Sequence, residues 1–250
     1  VELRLVDEAA EAALAARMGW QFVAKNTCEP KRGNAPLPGP VVVCGLGPAG
    51  LFAALELAVA GFAPLVLERG PRMAQRRAAV EEFENGGALL PNANIQFGEG
   101  GAGTFSDGKL TSRIKDPLCA RVLERLLSAG APQDISWRAK PHIGTDLLQD
   151  VFVSLREQVE ALGGRVMFDT RLTGLVCKAG RVTAVETTGG QMPCGALVLA
   201  VGHSARDTFG VLDEAGIELA AKPFSVGFRI EHLQSDIDRA VYHEAAGHEA

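Results

Sequence analysis

What this chain has little of narrows its chemistry first. Its five cysteines, Cys28, Cys44, Cys119, Cys177 and Cys194, are odd in number, widely spaced and free of any C-x-x-C. That pattern supplies neither a zinc set nor a disulfide framework, and it disfavours a disulfide-reductase mechanism. Reduced thiols in a cytoplasmic protein are the expectation. Positive charge is also short, since 25 Lys and Arg against 30 Asp and Glu give a formal charge of -5. The electrostatic footprint of a general nucleic-acid binder is therefore missing. No basic start leads into a short apolar core, so a secretory signal is not expected. The longest apolar run, residues 41 to 61, approaches membrane-span length but carries Pro48, Glu56 and an ordered set of glycines, so no membrane span is expected. There is no internal repeat and no low-complexity tract.

One further absence lies inside "GEGGAGTFSDGKLTSRI", residues 98 to 114. Gly103, Gly108 and Lys109 fall at the G-x-x-x-x-G-K spacing of a phosphate loop, but the next residue is Leu110. A Ser or Thr is needed there to help hold magnesium, so an ATP loop is excluded. Seven glycines from Gly86 to Gly108 still cost backbone entropy on folding. Their concentration implies that backbone comes close to something in this segment.

What is present points to an α/β fold. With 250 residues and 47% hydrophobic content, the chain can build one large domain or two smaller ones. Residues 7 to 18 read as a short helix stopped by Gly19, and "NTCEPKRGNAPLPGP" as a linker, placing a boundary near residue 38. "PVVVCG" is an apolar, β-branched run suited to a strand buried on both faces. "PAGLFAALELAVAG" then switches to helical period, with Leu51, Ala54, Leu55 and Ala58 on one face and Pro48 in the first turn. "APLVLERG" returns to strand, completing a βαβ unit.

A second helix is expected over 71 to 85. Its Arg72, Arg76 and Arg77 lie in the N-terminal half, against the helix dipole, either as a solvated face with an Arg77–Glu81 pair or as arginines aimed at an anion. Two more helices end in glycine, the second with Thr145 as N-cap. "RVMFDTRLTGLVCKAG", "RVTAVETTGG" and "QMPCGALVLAVG" read as an antiparallel meander leading into a buried strand.

The chemistry concentrates in "GLGPAG", where Gly45, Gly47 and Gly50 make G-x-G-x-x-G between a strand and a helix. Gly45 permits the tight turn, Gly47 admits a pyrophosphate, and Gly50 lets helix pack on strand. The helix N-terminus, with Pro48 and Ala49 in its first turn, offers N–H groups and partial positive charge to a diphosphate. Glu68, 18 residues beyond Gly50, ends the second strand, where its carboxylate can accept from the hydroxyls of an adenosine ribose. Its charge argues against a 2′-phosphate. The fingerprint alone does not separate FAD from NAD.

These segments, together with "NIQFGEGGAGTFSDGKLTSRI", "PHIGTDLL", "LAVGHSARDTFGVL" and "AKPFSVGFRIEH", resemble the FAD-dependent dehydrogenases of the glutathione-reductase-like flavoprotein class. The similarity runs in order from about residue 40 to 240. It implies a Rossmann-like FAD-binding domain with a parallel sheet and an antiparallel β-meander, followed by the beginning of an inserted second domain. FAD would be held by Gly45, Gly47, Pro48, Ala49, Gly50, Glu68 and Arg69, with NAD(P)H as a candidate electron donor.

The resemblance also implies that Gly100, Gly101, Ala102, Gly103 and Thr104 approach the diphosphate and flavin through backbone. Gly202 would approach through the turn of "LVLAVGHS", where Val201 replaces a threonine. Lys109 and Arg113 either place positive charge beside a reduced flavin or make ordinary ion pairs. The candidate acid–base groups are Lys109, His142 and His203, with His232 as a further histidine. Imidazole suits proton transfer as a class, and the alternative for each histidine is a satisfied hydrogen bond. Cys44 is expected to be a small packing residue.

The expected organisation is a helical segment and linker over 1–38, an FAD-binding domain over 39–221, and the start of a truncated substrate domain over 222–250. The function that follows is an FAD-dependent oxidoreductase acting on a small molecule. The alternatives are a catalytically incomplete dinucleotide-binding module and an FAD-dependent tRNA-modifying protein, which the acidic balance counts against.

Overall fold

The computed structural model describes residues 8–21, 33, 36–106, 108–111, 114, 116–138 and 140–247. The chain divides into two compact units, Val1–Ile217 and Glu218–Ala250. Most of the expected linker, residues 26–32, 34 and 35, lies outside the described residues, as does Arg113.

The first unit opens with α1 (Glu8–Met18), ended by Gly19 as its composition predicts. Strand β1 (Val41–Cys44) is buried along its whole length, and α2 (Pro48–Val59) follows with Pro48 at its start. Pro is favoured there because its missing N–H has no helical partner to lose. Helix α2 buries Leu51, Ala54, Leu55 and Ala58, the face that the 3.6-residue spacing marks, plus Gly50. Leu51 and Leu55 are almost fully buried, and each contributes about 2 kcal/mol.

Next come β2 (Leu65–Leu67), α3 (Met73–Glu84), α4 (Leu118–Ser128) and α5 (Thr145–Ala161). The N-cap of α5 is Gly144, not Thr145. Thr145 is already inside the helix, and its Oγ1 donates to the Ser106 carbonyl at 2.9 Å, so it ties α5 to the glycine-rich segment. The remaining strands are β3 (Arg165–Met167), β4 (Leu172–Lys178), β5 (Arg181–Thr187), β6 (Gly190–Pro193) and β7 (Ala196–Leu199). Helix α6 (Arg206–Glu214) follows.

Two sheets result. A parallel sheet runs in the order β3-β2-β1-β7, and an antiparallel sheet in the order β4-β5-β6. The meander expected from sequence is present in β4 to β6, but β3 belongs to the parallel sheet, with Val166 opposite Val66 of β2. The short apolar run fits either sheet by period alone, and its pairing is a tertiary matter.

The parallel sheet is a middle layer. Val43 and Val66 join Leu51, Leu55, Leu155 and Val159 in a helical core on one side. Val42, Cys44 and Leu67 join Leu172, Val185 and Cys194 on the other, beneath the antiparallel sheet. Alternation of side chains along β1 therefore feeds two cores at once. The architecture is α/β and Rossmann-like, and its parallel strands converge on one C-terminal edge.

The second unit holds α7 (Gln234–Tyr242). Residues 218–232 have neither helix nor strand, and Phe224, Val226, Phe228 and Ile230 are exposed. No helix of the described residues is long and apolar enough to cross a membrane.

Candidate functional site

At the C-terminal edge of the parallel sheet the chain turns from β1 into α2. Gly45 has φ +101°, and a Cβ there would lie 2.4 Å from the Ala200 carbonyl oxygen. A Cβ on Gly50 would lie 1.8 Å from the Gly45 carbonyl oxygen. Gly45 is therefore demanded by its left-handed φ and by the approach of the turn after β7, and Gly50 by the close packing of α2 on the β1–α2 turn. Gly47 differs: its φ of −69° suits any residue, and the nearest atom to an added Cβ is the Gly101 Cα at 3.9 Å. That open space belongs to a cavity of about 440 Å³. Gly47 is also the N-cap of α2, and no side chain caps that end.

Glu68, at the end of β2, lines the cavity yet is only 3% exposed. Its Oε2 accepts from the Leu46 N–H at 2.9 Å and its Oε1 from the Gly70 N–H at 2.7 Å. Burial pushes its carboxyl above the ordinary range, opposed by those two N–H groups and by the charges of Arg76 and Arg69. Glu68 thus braces the β1–α2 turn from below, a task its sequence position does not reveal. Each oxygen keeps a lone pair beyond its backbone bond.

The opposite wall is the glycine-rich segment, contributing Gln96, Phe97, Gly98, Gly101 and Ala102. What holds it is Arg76, which is wholly buried. Its guanidinium donates to the carbonyls of Asn94, Ile95, Glu99 and Gly101 at 3.0, 2.8, 2.6 and 3.0 Å, and to Thr104 Oγ1 at 3.4 Å. It also lies 4.9 Å from the centre of the Phe105 ring. Desolvation lowers its pKa to about 10, against the opposing charges of Glu68 and Glu99.

Neither sequence reading of the arginines fits Arg76, which is not solvated and is not available to an external anion. Its donors are spent on backbone oxygens that a loop without regular structure cannot satisfy by itself. Arg77 stays exposed, and Arg72 sits 4.8 Å over the Phe168 ring. Fully buried Glu99 adds a second brace, taking the Met73 N–H at 2.7 Å and Arg156 Nε at 2.6 Å. Arg156 also pairs with Glu160. Leu46 connects the two walls, since its carbonyl accepts from the Gly100 N–H at 2.8 Å.

The turn after β7 closes a third side with Ala200, Val201, Gly202, His203 and Ser204. Gln96 Nε2 reaches Ser204 Oγ at 2.8 Å and the His203 ring at 3.4 Å. Of the residues expected to bind a cofactor, Gly45, Gly47, Pro48, Ala49, Glu68, Arg69, Gly101, Ala102 and Gly202 line this one cavity, and the acid–base candidate His203 joins them.

Gly50 lies beneath the turn, while Gly100 packs against Phe152, and Thr104 spends its hydroxyl on the Gly101 carbonyl at 2.8 Å. Gly103 is absent from the lining. Lys109 and His142 pair with each other in an isolated antiparallel bridge away from the cavity lining. His232 falls in the second unit. Cys44 lines the floor, but burial pushes its thiol to about 12, so it is a packing residue rather than a nucleophile. Residues not singled out by sequence include Glu99, Arg156, Arg171 and Asp207. The pairs Glu99–Arg156, Arg171–Asp207 and Arg69–Asp207 span 57, 36 and 138 positions, beyond any local pattern.

No family model matches the chain. An uncharacterized protein of Clostridium beijerinckii is 47% identical over 208 residues, which is 83% of this chain and 39% of that protein. The chain thus spans about two fifths of the length of the curated relative it matches. Among solved structures, THI4 of Thermovibrio ammonificans aligns with TM-score 0.47 and 16% identity, over 87% of this chain and 73% of that one. L-amino acid deaminase from Proteus myxofaciens, solved with anthranilate, aligns with TM-score 0.40 and 15% identity, over 77% and 51%. Both scores fall below 0.5.

Proposed function

We propose that the cavity holds the ADP half of FAD and that the chain is the cofactor-binding part of an FAD-dependent oxidoreductase. Such a dehydrogenase moves a hydride through a non-covalently bound flavin to or from a small-molecule substrate. The observation that carries this reading is the convergence of an uncapped helix N-terminus, a buried strand-end carboxylate and a second glycine wall on one cleft at the C-terminal edge of a parallel sheet. That edge is where open α/β sheets bind ligands.

The residues suit such a group. The approach of Gly47 and Gly101 leaves room that any side chain at Gly47 would fill, and a cavity of about 440 Å³ lies in the range of ligand sites. The N–H groups at the start of α2 would meet the diphosphate. Glu68 would accept from ribose hydroxyls with the lone pairs its backbone partners leave. Gly101, Ala102 and Gly202 would close on the cofactor through backbone, and His203, set by Gln96, is the candidate proton carrier on the wall. When bound, the flavin supplies hydride acceptance and release. FAD is preferred over NAD on the resemblance of the glycine-rich segment and the turn after β7 to flavoproteins. The domain division proposed with this reading is 39–221 for the cofactor domain, with 222–250 as a separate segment.

A second reading, a dinucleotide-binding module without catalysis, is favoured by one observation: Lys109 and His142 stand off the cavity wall. Purification with added FAD separates the readings from an empty scaffold. A yellow protein that releases one FAD per chain on heating is the expected result, and a colourless chain that takes up no FAD overturns the cofactor assignment. Reduction of the bound flavin by a candidate substrate then divides enzyme from module.

A further inference from the structure

Two arginine residues are among those that line the cavity near the end of β2. Arg69 follows Glu68 directly and Arg171 precedes β4. Both turn toward one carboxylate. Arg69 Nη1 lies 3.1 Å from Asp207 Oδ1, and Arg171 Nη1 lies 3.4 Å from Asp207 Oδ2. Asp207 itself sits in the first turn of α6 and is not part of the lining. Burial raises its pKa, but the hydrogen bond and charge of Arg69, the Thr208 N–H and the charge of Arg171 outweigh that and hold it below the ordinary range. It is an anion at neutral pH. Arg69 is further fixed by Asn92 Oδ1, which accepts from its Nε at 3.1 Å.

Arginines next to the strand-end acid are the groups that accommodate a 2′-phosphate on an adenosine ribose. Two guanidiniums able to grip both oxygens of one carboxylate are also spaced to grip one phosphate. Here that capacity is occupied from within the protein.

We propose that Asp207 is a specificity-determining residue: by engaging Arg69 and Arg171 it withholds them from the cavity and excludes 2′-phosphorylated adenine dinucleotides. The inference rests on reading the cavity as an adenine-dinucleotide site. It assigns the exclusion to an ion-pair network as well as to the charge of Glu68, and it makes the exclusion removable by one substitution.

The test is titration calorimetry of the whole chain with ADP-ribose and with its 2′-phosphate, two probes that differ only in that group. The unmodified chain should bind ADP-ribose the more tightly. In Asp207→Asn the affinity ratio should move toward the 2′-phosphate by roughly tenfold, the scale of one released charge-assisted contact. Adding Arg171→Gln should cancel most of that movement, a response that general loosening of α6 would not produce. Asp207→Ser gives the same reading should the Asn variant lose the fold. A shift under about threefold, with ADP-ribose still bound, overturns the role of Asp207. Failure of the unmodified chain to bind ADP-ribose rejects the dinucleotide reading, and this inference with it.

Discussion

Two glycine-bearing segments face each other across the cavity, and they are held by different means. The β1–α2 turn is fixed by regular structure. Gly45 N–H bonds to the Leu67 carbonyl at 2.8 Å, Leu51 N–H to Gly47 at 2.9 Å, and Glu68 reaches up from the next strand. The segment from Asn94 to Phe105 contains only a 3₁₀ turn, Ala102–Phe105. Its carbonyls are gathered by Arg76, and its own Glu99 is gripped by Arg156. One wall is built chiefly by the backbone bonds of regular elements, with Glu68 as its single buried brace, the other chiefly by buried side-chain charge. The lesson is that a cavity wall without a ladder needs donors brought from elsewhere, and arginine, with its five N–H groups, can serve many carbonyls at once.

That contrast can be broken at chosen points. The largest effect is expected at Gly50→Ala, whose new Cβ would collide with the Gly45 carbonyl 1.8 Å away. A loss of about 3 kcal/mol or more follows, because neither backbone can yield without separating α2 from β1. Gly47→Ala, three residues earlier, should change stability by less than about 1 kcal/mol while lowering FAD affinity. Urea unfolding beside FAD titration reads both, and equal destabilisation by the two would contradict the division between packing and cavity glycines.

Arg76→Met comes next. It leaves several buried carbonyls without donors, at about 3 kcal/mol. Its consequence is local to the other wall, so limited proteolysis should cut between residues 94 and 104 before the rest of the fold is attacked. Cleavage unchanged from the unmodified chain would show that the segment does not depend on Arg76.

The smallest effect sharpens the first wall. Glu68 has a folded pKa raised by burial. Its contribution to stability is therefore fully present below the unfolded carboxyl range and is lost as pH rises through the folded value. Glu68→Gln removes that dependence. The stability advantage of the unmodified chain over the variant should shrink with rising pH, by at most about 1.4 kcal/mol per pH unit within the window. Unfolding curves at a series of pH values check it, and an advantage that grows with pH would mean that the carboxyl is stabilised as the anion.

Much of the first wall was legible in the sequence. Gly45, Gly47, Gly50 and Glu68 announce themselves by spacing, and Leu51, Ala54, Leu55 and Ala58 by helical period, because strand, turn and helix are local events whose rules act over a few residues. The second wall was legible only as an unexplained cluster of glycines. The sequence placed Arg76 on a helix and read its charge as either solvated or ligand-directed, when its partners were chiefly backbone oxygens 18 to 25 positions away. Thr145 went the same way, a cap by type that became a tie between α5 and Ser106. The Arg69–Asp207 pair spans 138 positions and leaves no local trace.

The sequence by itself determined the alternation of elements, the buried face of α2 and the chemistry available at the β1–α2 turn, since hydrophobic period and glycine conformation act locally. Only the tertiary structure decided that β3 joins the parallel sheet, that Arg76 and Arg156 brace a loop, that His203 reaches the cavity lining while Lys109 and His142 stay off it, and that Asp207 faces two cavity arginines. Those outcomes depend on which distant backbone oxygens and charges remain unsatisfied once the sheet has formed, and burial of polar groups makes leaving them unpaired costly.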